Sequence, residues 1–519
     1  MKKFNYGTDH LTIGICLDIA AGKVQGVINE AAAARIHASW KEVEKIVHTH
    51  LPVYGINTGF GPLCDTRISE EDTSLLQSNI LKSHSVGVGK PIRQEIAKLM
   101  LITKVQALAQ GYSGIAPATL ERIIWHIDNN VIPVVPEKGS VGASGDLAPL
   151  SHLFLPLIGL GYVNVGNEKH PAGEILKQHN LKPLVLGPKE GLALINGTQF
   201  ILAFSIKAVE RLNNLLNTAD LIGAMSLEGL MGSARPFDAR LHAIRPYKGT
   251  KLVAKRLAAL LQGSAIGNAH VDCDRVQDPY SLRCMPQVHG ASRNAWLHLK
   301  ELTEIELNSV TDNPVIFNAD DTISGGNFHG QPLALPLDYA TVAAAELGNI
   351  ADRRCYLMSE GRYGLPKLLT EHAGLNSGLM IPQYTTAALV TENKTFCFPA
   401  SADSVPTSLG QEDHVSMGSI SGRKLHMVLD NIEYIQAIEL LYASQAMEFR
   451  RPLQSTPIIE SLHQLVRQHV PYIKDDRIFA DDINALHQLI ISGQFQSTAL
   501  ETAQKHNIHI NDDDEFGIY

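Results

Sequence analysis

Apolar residues recur at helical spacing along most of the chain. The first long stripe predicts a helix that begins at Pro91 and ends before Gly111, because proline favours the first helical position and glycine the position just past the end. Further stripes predict helices over residues 199–216, 335–358 and 420–447. Their apolar residues occupy more than one face, which is typical of helices packed on several sides. The sequence therefore predicts a mainly α-helical protein with a helical-bundle body.

Strand patterns are few and short. The segments VIPVV (131–135) and YVNV (162–165) are the best candidates, and both lie in the first 200 residues. We therefore expect a mixed, loop-rich N-terminal domain over residues 1–200 and a helical-bundle body over residues 201–519. The acidic tail NDDDEFGIY (511–519) is expected to be solvated.

Composition restricts the class of protein. Of the 519 residues, 45% are apolar and 19% charged, which favours a large core over disorder. The net charge of −9 disfavours general nucleic-acid binding, which depends on clustered Lys and Arg. We expect neither a signal peptide nor a membrane span, because long apolar runs are missing. The cysteines are scattered without a CxxC pair, which predicts reduced thiols in a cytoplasmic protein; they are Cys16, Cys64, Cys273, Cys284, Cys355 and Cys397.

The stretch GSVGASGDLAPL (139–150) is the strongest chemical feature. A P-loop would need a lysine after the glycines, and a dinucleotide fingerprint would need GxGxxG spacing. A serine-hydrolase elbow would need GxSxG, whereas Gly145 directly follows Ser144. Neither HExxH nor paired CxxC occurs, so we predict no metal site. Two interpretations remain, a tight turn of small residues and self-modification of Ala143-Ser144-Gly145.

Self-modification is chemically open to this triplet. The Gly145 nitrogen can approach the Ala143 carbonyl closely, because glycine has no side chain and tolerates a strained turn. Attack and loss of water would close a five-membered imidazolone. Loss of the Ser144 hydroxyl as a second water would leave an exocyclic methylene. That methylene is an electrophile, which no standard side chain provides.

The extended motif GSVGASGDLAPLSH resembles that of the aromatic amino acid ammonia-lyases and aminomutases, which carry a 4-methylidene-imidazol-5-one (MIO) prosthetic group. The resemblance implies that MIO forms from Ala143-Ser144-Gly145 in the N-terminal lyase domain, with no external cofactor. It also implies an L-aspartase/fumarase-like helical fold and a homotetramer whose active sites combine several subunits. Other family motifs follow along the chain, namely YGINTGFG (54–61), LINGTQ (194–199), QDPYSLRC (277–284), DNPVIF (312–317), GGNFHG (325–330) and QEDHVSM (411–417).

The resemblance also implies a reaction, in which the substrate amine adds to the methylidene carbon and a base removes the β-hydrogen. Tyr54 matches the base on a mobile loop, and its phenol would need a pKa shifted down from about 10 to act at neutral pH. Arg283 matches the arginine that holds the substrate carboxylate, which suits a guanidinium fork. Tyr280 matches a residue near the prosthetic group that assists proton transfer. Gln277 shares the face of Tyr280 and Arg283 if the segment is helical.

Further family matches surround the electrophile. Asn196 matches an asparagine that contacts the prosthetic-group oxygen and the substrate. Phe328 matches a wall of the pocket, and Asn313 matches the outer active site, although a residue before proline is also a common turn residue. Two interpretations of Asp146 stay open: it orients the ring-closing groups, or it caps the following helix.

Two positions indicate the substrate. Ser83-His84 occupies the selectivity position of the family and resembles the histidine-specific pattern, which some bacterial tyrosine lyases share. Glu412 resembles a glutamate that phenylalanine and tyrosine lyases commonly lack, and its carboxylate can accept a hydrogen bond from an imidazole N–H. Glu412 could instead take part in β-proton transfer. The pattern predicts non-oxidative deamination of L-histidine to trans-urocanate and ammonia, the first step of histidine catabolism.

Two alternatives to this prediction stay open. The first is a tyrosine or phenylalanine ammonia-lyase, or an aminomutase, of the same family. The second is a catalytically silent binding or scaffold protein on the same fold. The substrates that react distinguish the first alternative, and the intact mass distinguishes the second, because ring formation removes two waters.

Overall fold

Long helices make up most of the chain from residue 199 onward. In the computed structural model, Cys273 and residues 511–513 of the acidic tail lie outside the described part of the chain, which comprises residues 2–48, 52–69, 72–270, 275–510 and 514–519. The helices in chain order are α1 (Ile13–Ala20), α2 (Glu30–Val47), α3 (Thr73–His84), α4 (Gln94–Leu108), α5 (Pro117–Asp128), α6 (Leu147–Phe154), α7 (Ala172–Gln178), α8 (Glu190–Ile195), α9 (Gln199–Gly229), α10 (Ala239–Ala243), α11 (Lys248–Leu261), α12 (Ala265–Asn268), α13 (Tyr280–Arg283), α14 (Met285–Leu307), α15 (Gln331–Ser359), α16 (Met380–Phe396), α17 (Gly418–Glu448), α18 (Pro457–His469), α19 (Phe479–Ile491) and α20 (Gln494–Lys505).

The described strands form small, separate sheets. One sheet is parallel (β1-β2), and the others are antiparallel (β3-β5, β4-β6-β7 and β8-β9). The two predicted strands are confirmed as β4 and β6, which pair with each other. The strands are β1 (Lys2–Asn5), β2 (Val24–Val27), β3 (Val88–Pro91), β4 (Val131–Pro133), β5 (Pro136–Lys138), β6 (Tyr162–Val165), β7 (Glu168–Pro171), β8 (Val315–Asn318) and β9 (Asp321–Ile323).

The predicted helices over residues 199–216, 335–358 and 420–447 are confirmed as α9, α15 and α17, which pack against one another in the body. Helix α9 continues well past the predicted end at residue 216, because apolar residues keep its flanks buried as far as Leu227. The core that these helices build extends from Phe4 to Phe516. Among the described residues, no helix is both long and apolar enough to cross a membrane. The mainly α-helical fold is therefore confirmed, while the domain boundary at residue 200 stays a prediction.

Two local predictions are wrong. Pro91 does not start a helix, because it ends β3 opposite Pro136, and α4 begins only at Gln94. The end of the acidic tail is not simply solvated. Phe516 is buried and stacks on Trp296 with ring centroids 6.3 Å apart, so that an apolar anchor holds residues 514–519 against the body.

Candidate active site

The Ala143-Ser144-Gly145 triplet lies in the loop between β5 and α6. Ser144 has φ +50° and Gly145 has φ +78°, both in the left-handed region. Gly145 also has no room for a side chain, because a Cβ there would lie 2.2 Å from the Gly197 carbonyl oxygen. The triplet is therefore held in a tight turn that only glycine can complete.

The Asn196-Gly197 segment packs directly against the triplet. The Asn196 Nδ2 donates to the Ser144 carbonyl oxygen over 2.8 Å, and the Asp146 N–H donates to the Gly197 carbonyl oxygen over 2.8 Å. The Asn196 Oδ1 is buried and has no hydrogen-bond partner among the described residues. Because buried polar atoms are almost always paired, this oxygen marks a place where a bound polar group fits.

Asp146 ties the triplet to the start of α9. Its Oδ2 accepts hydrogen bonds from the backbone N–H groups of Phe200 (3.1 Å) and Ile201 (3.0 Å), and its Oδ1 accepts one from the Ser140 hydroxyl (3.2 Å). The side chain makes no capping bond to α6, so the interpretation as a cap of the following helix is wrong. The carboxyl is fully buried, and this desolvation raises its pKa to about 7 against the opposing effect of these hydrogen bonds.

Glu412 reaches the same site although 268 positions separate it from Ser144. Its Oε1 accepts a hydrogen bond from the Ser144 hydroxyl. Its Oε2 accepts from the hydroxyls of Thr407 (3.0 Å) and Ser408 (2.8 Å). The carboxylate is therefore fixed against the hydroxyl that ring formation would eliminate, and is not a freely solvated charge.

The segment that follows Glu412 also packs on the triplet loop. The Met417 N–H donates to the Val141 carbonyl oxygen over 2.9 Å. A Cβ on Gly142 would lie 2.1 Å from the Ser416 hydroxyl oxygen, and Gly142 has φ +79°, so a side chain here would be strained and would displace that hydroxyl. The triplet is thus enclosed by residues from distant parts of the chain.

Four helices begin at the residues that line this site. Helix α6 starts just after Asp146, α9 just after Asn196, α15 just after Phe328, and α17 shortly after Glu412. Helix N-termini carry unpaired N–H groups and partial positive charge. At α9 the N-terminal N–H groups of Phe200 and Ile201 donate to the Asp146 carboxyl, so that this helix end stabilises an anionic group beside the triplet.

Tyr54 lies half-buried on the loop between α2 and α3. Its hydroxyl oxygen accepts a hydrogen bond from the Gly61 N–H over 3.1 Å. Desolvation raises the pKa of Tyr54, the Gly61 hydrogen bond lowers it, and the negative charge of Glu412 raises it further. The net shift is upward, so the expectation of a lowered pKa is wrong for this chain. The phenol therefore lies within electrostatic range of Glu412.

His84 ends α3 and is half-buried. Its Nδ1 lies 2.9 Å from the hydroxyl of Ser83. Burial lowers the pKa of His84, whereas a backbone hydrogen bond at Ile80 and the charge of Glu412 raise it. Because burial dominates, the neutral imidazole is favoured, with Glu412 within electrostatic range.

Asn313 and Phe328 lie at the two ends of the segment that contains β8 and β9. The buried Asn313 carboxamide donates to the Ser324 hydroxyl (3.1 Å) and accepts from the Gly325 N–H (2.7 Å). It therefore shapes the loop that leads into GGNFHG, which agrees with its interpretation as a turn residue. Phe328 is half-buried at the end of this loop, just before α15.

Gln277, Tyr280 and Arg283 lie apart from the triplet. Tyr280 and Arg283 share the short helix α13, where the guanidinium carbon lies 4.5 Å from the ring centroid, and Gln277 precedes the helix. Tyr280 is 71% exposed, and Gln277 and Arg283 line an open cavity of about 1380 Å³. Within the described part of the chain, no hydrogen bond, ion pair or ring contact joins them to Ser144. One chain alone does not assemble all the predicted site residues.

Several residues that support the site were not predicted. Thr407 and Ser408 hold Glu412, and no local sequence signal marks them, because they act through a loop. Lys104 donates to the Asn196 carbonyl oxygen over 2.6 Å. The signal for Lys104 was present in the sequence, since it is a single cation within the apolar run LMLITKVQAL (99–108).

Known proteins are similar to this chain in sequence and fold. Histidine ammonia-lyase of Symbiobacterium thermophilum is 46% identical over 487 residues, which cover 93% of this chain and 96% of that protein. The crystal structure of histidine ammonia-lyase from Trypanosoma cruzi superposes with a TM-score of 0.90 at 40% identity, covering 100% of this chain and 97% of that one. Tyrosine aminomutase from Streptomyces globisporus superposes with a TM-score of 0.91 at 34% identity, covering 98% and 100%. Residues 11–468 match the family described as aromatic amino acid lyase, and the chain belongs to that family.

Proposed function

We propose that this protein deaminates L-histidine to trans-urocanate and ammonia. The observation that carries the proposal is the hydrogen bond between Glu412 and the Ser144 hydroxyl, which fixes a carboxylate at the reacting triplet. A carboxylate there can accept a hydrogen bond from the imidazole N–H of histidine, whereas a phenyl ring offers no such donor. The 46% identity to a histidine ammonia-lyase supports the same substrate.

We further propose that Ala143-Ser144-Gly145 condense into MIO. The Gly145 nitrogen bonds to the Ala143 carbonyl carbon, and the carbonyl oxygen leaves as water with the amide hydrogens of Ser144 and Gly145. The Ser144 hydroxyl leaves as a second water with the hydrogen on its Cα. The site fits the ring, because Gly145 meets Gly197 without space for a Cβ and Asn196 donates to the Ser144 carbonyl that becomes the ring oxygen. The finished group supplies an electrophilic carbon for the substrate amine.

The surrounding side chains are proposed to remove the β-proton, orient the imidazole and stabilise the developing negative charge. Tyr54 is the proposed base that removes the β-hydrogen, and its raised pKa requires loss of its proton before it can act. Glu412 either orients the imidazole or relays the β-proton, and its position suits both roles. His84 lines the end of the pocket that receives the ring. Asn196 holds the oxygen on which negative charge develops.

The proposed function is tested with a panel of amino acids. Purified protein is incubated with histidine, tyrosine and phenylalanine, and conjugated product and released ammonia are measured. Histidine should give urocanate and equimolar ammonia. A β-amino acid without ammonia would identify an aminomutase, and preferred turnover of tyrosine or phenylalanine would reassign the substrate. An intact mass equal to that of the unmodified chain would support the silent scaffold.

Glu412→Ala should lower kcat/KM for histidine about 100-fold and affect residual phenylalanine turnover much less, because the imidazole N–H loses a charged hydrogen-bond partner whereas a phenyl ring has no donor. Absorbance of the conjugated products gives both rates. Asp413→Ala is the matched control, because it removes an adjacent carboxylate that is exposed. An equal loss on both substrates would assign Glu412 to proton transfer and not to recognition of the ring.

We also propose a cytoplasmic homotetramer with shared active sites. The exposed positions of Gln277, Tyr280 and Arg283 support this proposal, because the substrate carboxylate needs a guanidinium that a second copy can bring. The five described cysteines are unpaired, in agreement with a reducing compartment. Helix α15 carries an exposed apolar stripe that another copy can cover, formed by Leu335 (56% exposed), Tyr339 (53%) and Val342 (43%).

Tyr339→Glu should reduce the molecular mass in solution and the turnover together, because a buried charge at a subunit contact is strongly unfavourable. Light scattering and the histidine assay provide the two measurements. Tyr162→Glu is the matched control, since Tyr162 is similarly exposed (50%) but lies on β6. An unchanged tetramer in Tyr339→Glu would exclude this stripe from the interface.

A further inference from the structure

Lys104 is a buried cation in an apolar helix. It lies in α4, where every residue from Leu99 to Leu108 is buried, and it is only 1% exposed. Burial of an ammonium group is costly unless hydrogen bonds and opposite charges compensate it. The contacts of the Nζ atom therefore show what this lysine does.

The Nζ atom donates hydrogen bonds to both ends of the turn formed by residues 196–199, which packs against the triplet. The Lys104 Nζ donates to the Asn196 carbonyl oxygen over 2.6 Å and to the Gln199 Oε1 over 3.3 Å. The Gln199 carboxamide in turn donates to the Thr311 hydroxyl over 2.8 Å. Gly197 lies between these two anchors with φ +133°. The ammonium thus fixes a turn whose central residue has an unusual backbone conformation.

Lys104 belongs to a buried cluster of two cations, Lys104 and Lys189, and two carboxyl groups, Asp146 and Asp312. Lys189 pairs with Asp312 over 2.7 Å, and all four side chains are nearly or fully inaccessible to solvent. Burial and the charge of Lys189 lower the pKa of Lys104 to about 7, opposed by the negative charges of Asp312 and Asp146. Lys104 and Asp146 therefore interact across the turn, one from behind it and one from the side of the triplet.

We propose that Lys104 is a positioning residue that holds the 196–199 turn in place against Gly145 and thereby promotes condensation of the Ala143-Ser144-Gly145 triplet. This inference rests on the proposed formation of MIO. Asn196 holds the Ser144 carbonyl, and the Gly197 carbonyl oxygen lies where a Cβ of Gly145 would be. A shift of this turn would move Asn196 and Gly197 relative to the triplet, and would thereby change how closely the Gly145 nitrogen approaches the Ala143 carbonyl carbon.

Lys104→Met tests the proposal, because methionine keeps the length and the apolar stem but removes the donors and the charge. The protein is made by cell-free synthesis, translation is stopped, and the loss of two waters is followed by intact mass. We expect ring formation to slow about 100-fold, since a misplacement of roughly 1 Å can cost that much. Circular dichroism and thermal melting report the fold independently.

Lys189→Met is the matched control. Lys189 is equally buried and charged, but it donates to the Ser113 carbonyl oxygen and to Asp312 rather than to the turn. The Lys189→Met variant should therefore be less stable than the wild type but should not show a comparable delay in ring formation. Gln199→Leu removes the second anchor of the turn and should also slow ring formation. This variant tests the positioning role if Lys104→Met does not fold.

The outcomes separate this inference from the proposed function. Slow loss of water in Lys104→Met or Gln199→Leu, with near-normal loss in Lys189→Met, supports the positioning role. Rapid maturation of folded Lys104→Met, or an equal delay in Lys189→Met, overturns it. Wild-type protein that retains both waters would overturn the proposed MIO function itself.

Discussion

Ser144→Ala is expected to abolish histidine deamination, with a loss on the order of 10³-fold or more. Alanine has no hydroxyl to leave as water, so the electrophilic methylene cannot form. The fold should change little, because the hydroxyl makes one hydrogen bond, to Glu412, at a half-buried position. Turnover and intact mass measure the two effects, and the variant should lack the full loss of two waters.

Ser151→Ala provides the control for the loss of a buried serine hydroxyl. Ser151 lies on α6 close to the triplet in sequence, but its hydroxyl donates only to the Leu147 carbonyl oxygen within its own helix. This variant should mature and turn over normally. Near-normal activity in Ser144→Ala would refute the assignment of the prosthetic group to this position.

Tyr54→Phe is expected to lower kcat by about 10²- to 10⁴-fold while ring formation proceeds normally, because only the proposed base is lost. Burial raises the pKa of Tyr54, and a base acts in its deprotonated form, so wild-type kcat/KM should increase as the pH rises into the alkaline range. The variant should lose that increase. Rate measurements across pH, with intact mass as a check of maturation, test both statements.

Tyr112→Phe is the matched control, because Tyr112 is 38% exposed and its ring packs on Phe317, which has no proposed role in the reaction. Its turnover and pH profile should match those of the wild type. A decrease of only a few-fold in Tyr54→Phe would transfer the role of base to Tyr280 or Glu412.

The long helices could be predicted from the sequence because their periodic apolar pattern extends over many turns. Helices α9, α15 and α17 span 31, 29 and 31 residues. The small sheets could not be predicted as well, since each strand has only three or four residues and its partner is set by tertiary contacts. Pro91 shows the ambiguity of local signals, because proline suits the end of a strand as well as the start of a helix.

The sequence predicts which residues form the site better than it predicts how they contact one another. Motifs locate Ser144, Glu412 and Asn196, but their mutual contacts arise only when distant segments pack together. The direction of the Tyr54 pKa shift depends on burial, which sequence motifs do not report. The support from Lys104 was missed because one lysine in an apolar helix does not reveal its partner.

The enclosure of the triplet by residues 196–201 and 412–419 has a consequence for biosynthesis. A ribosome produces the triplet long before it produces Glu412 and Met417, whose contacts complete the enclosure. In the proposed condensation, a nascent chain would therefore carry an ordinary serine while it is exposed to cellular thiols and amines. The reactive carbon would form after the C-terminal half has folded back onto the triplet, so that chain completion itself would protect the cell and the enzyme from a premature electrophile.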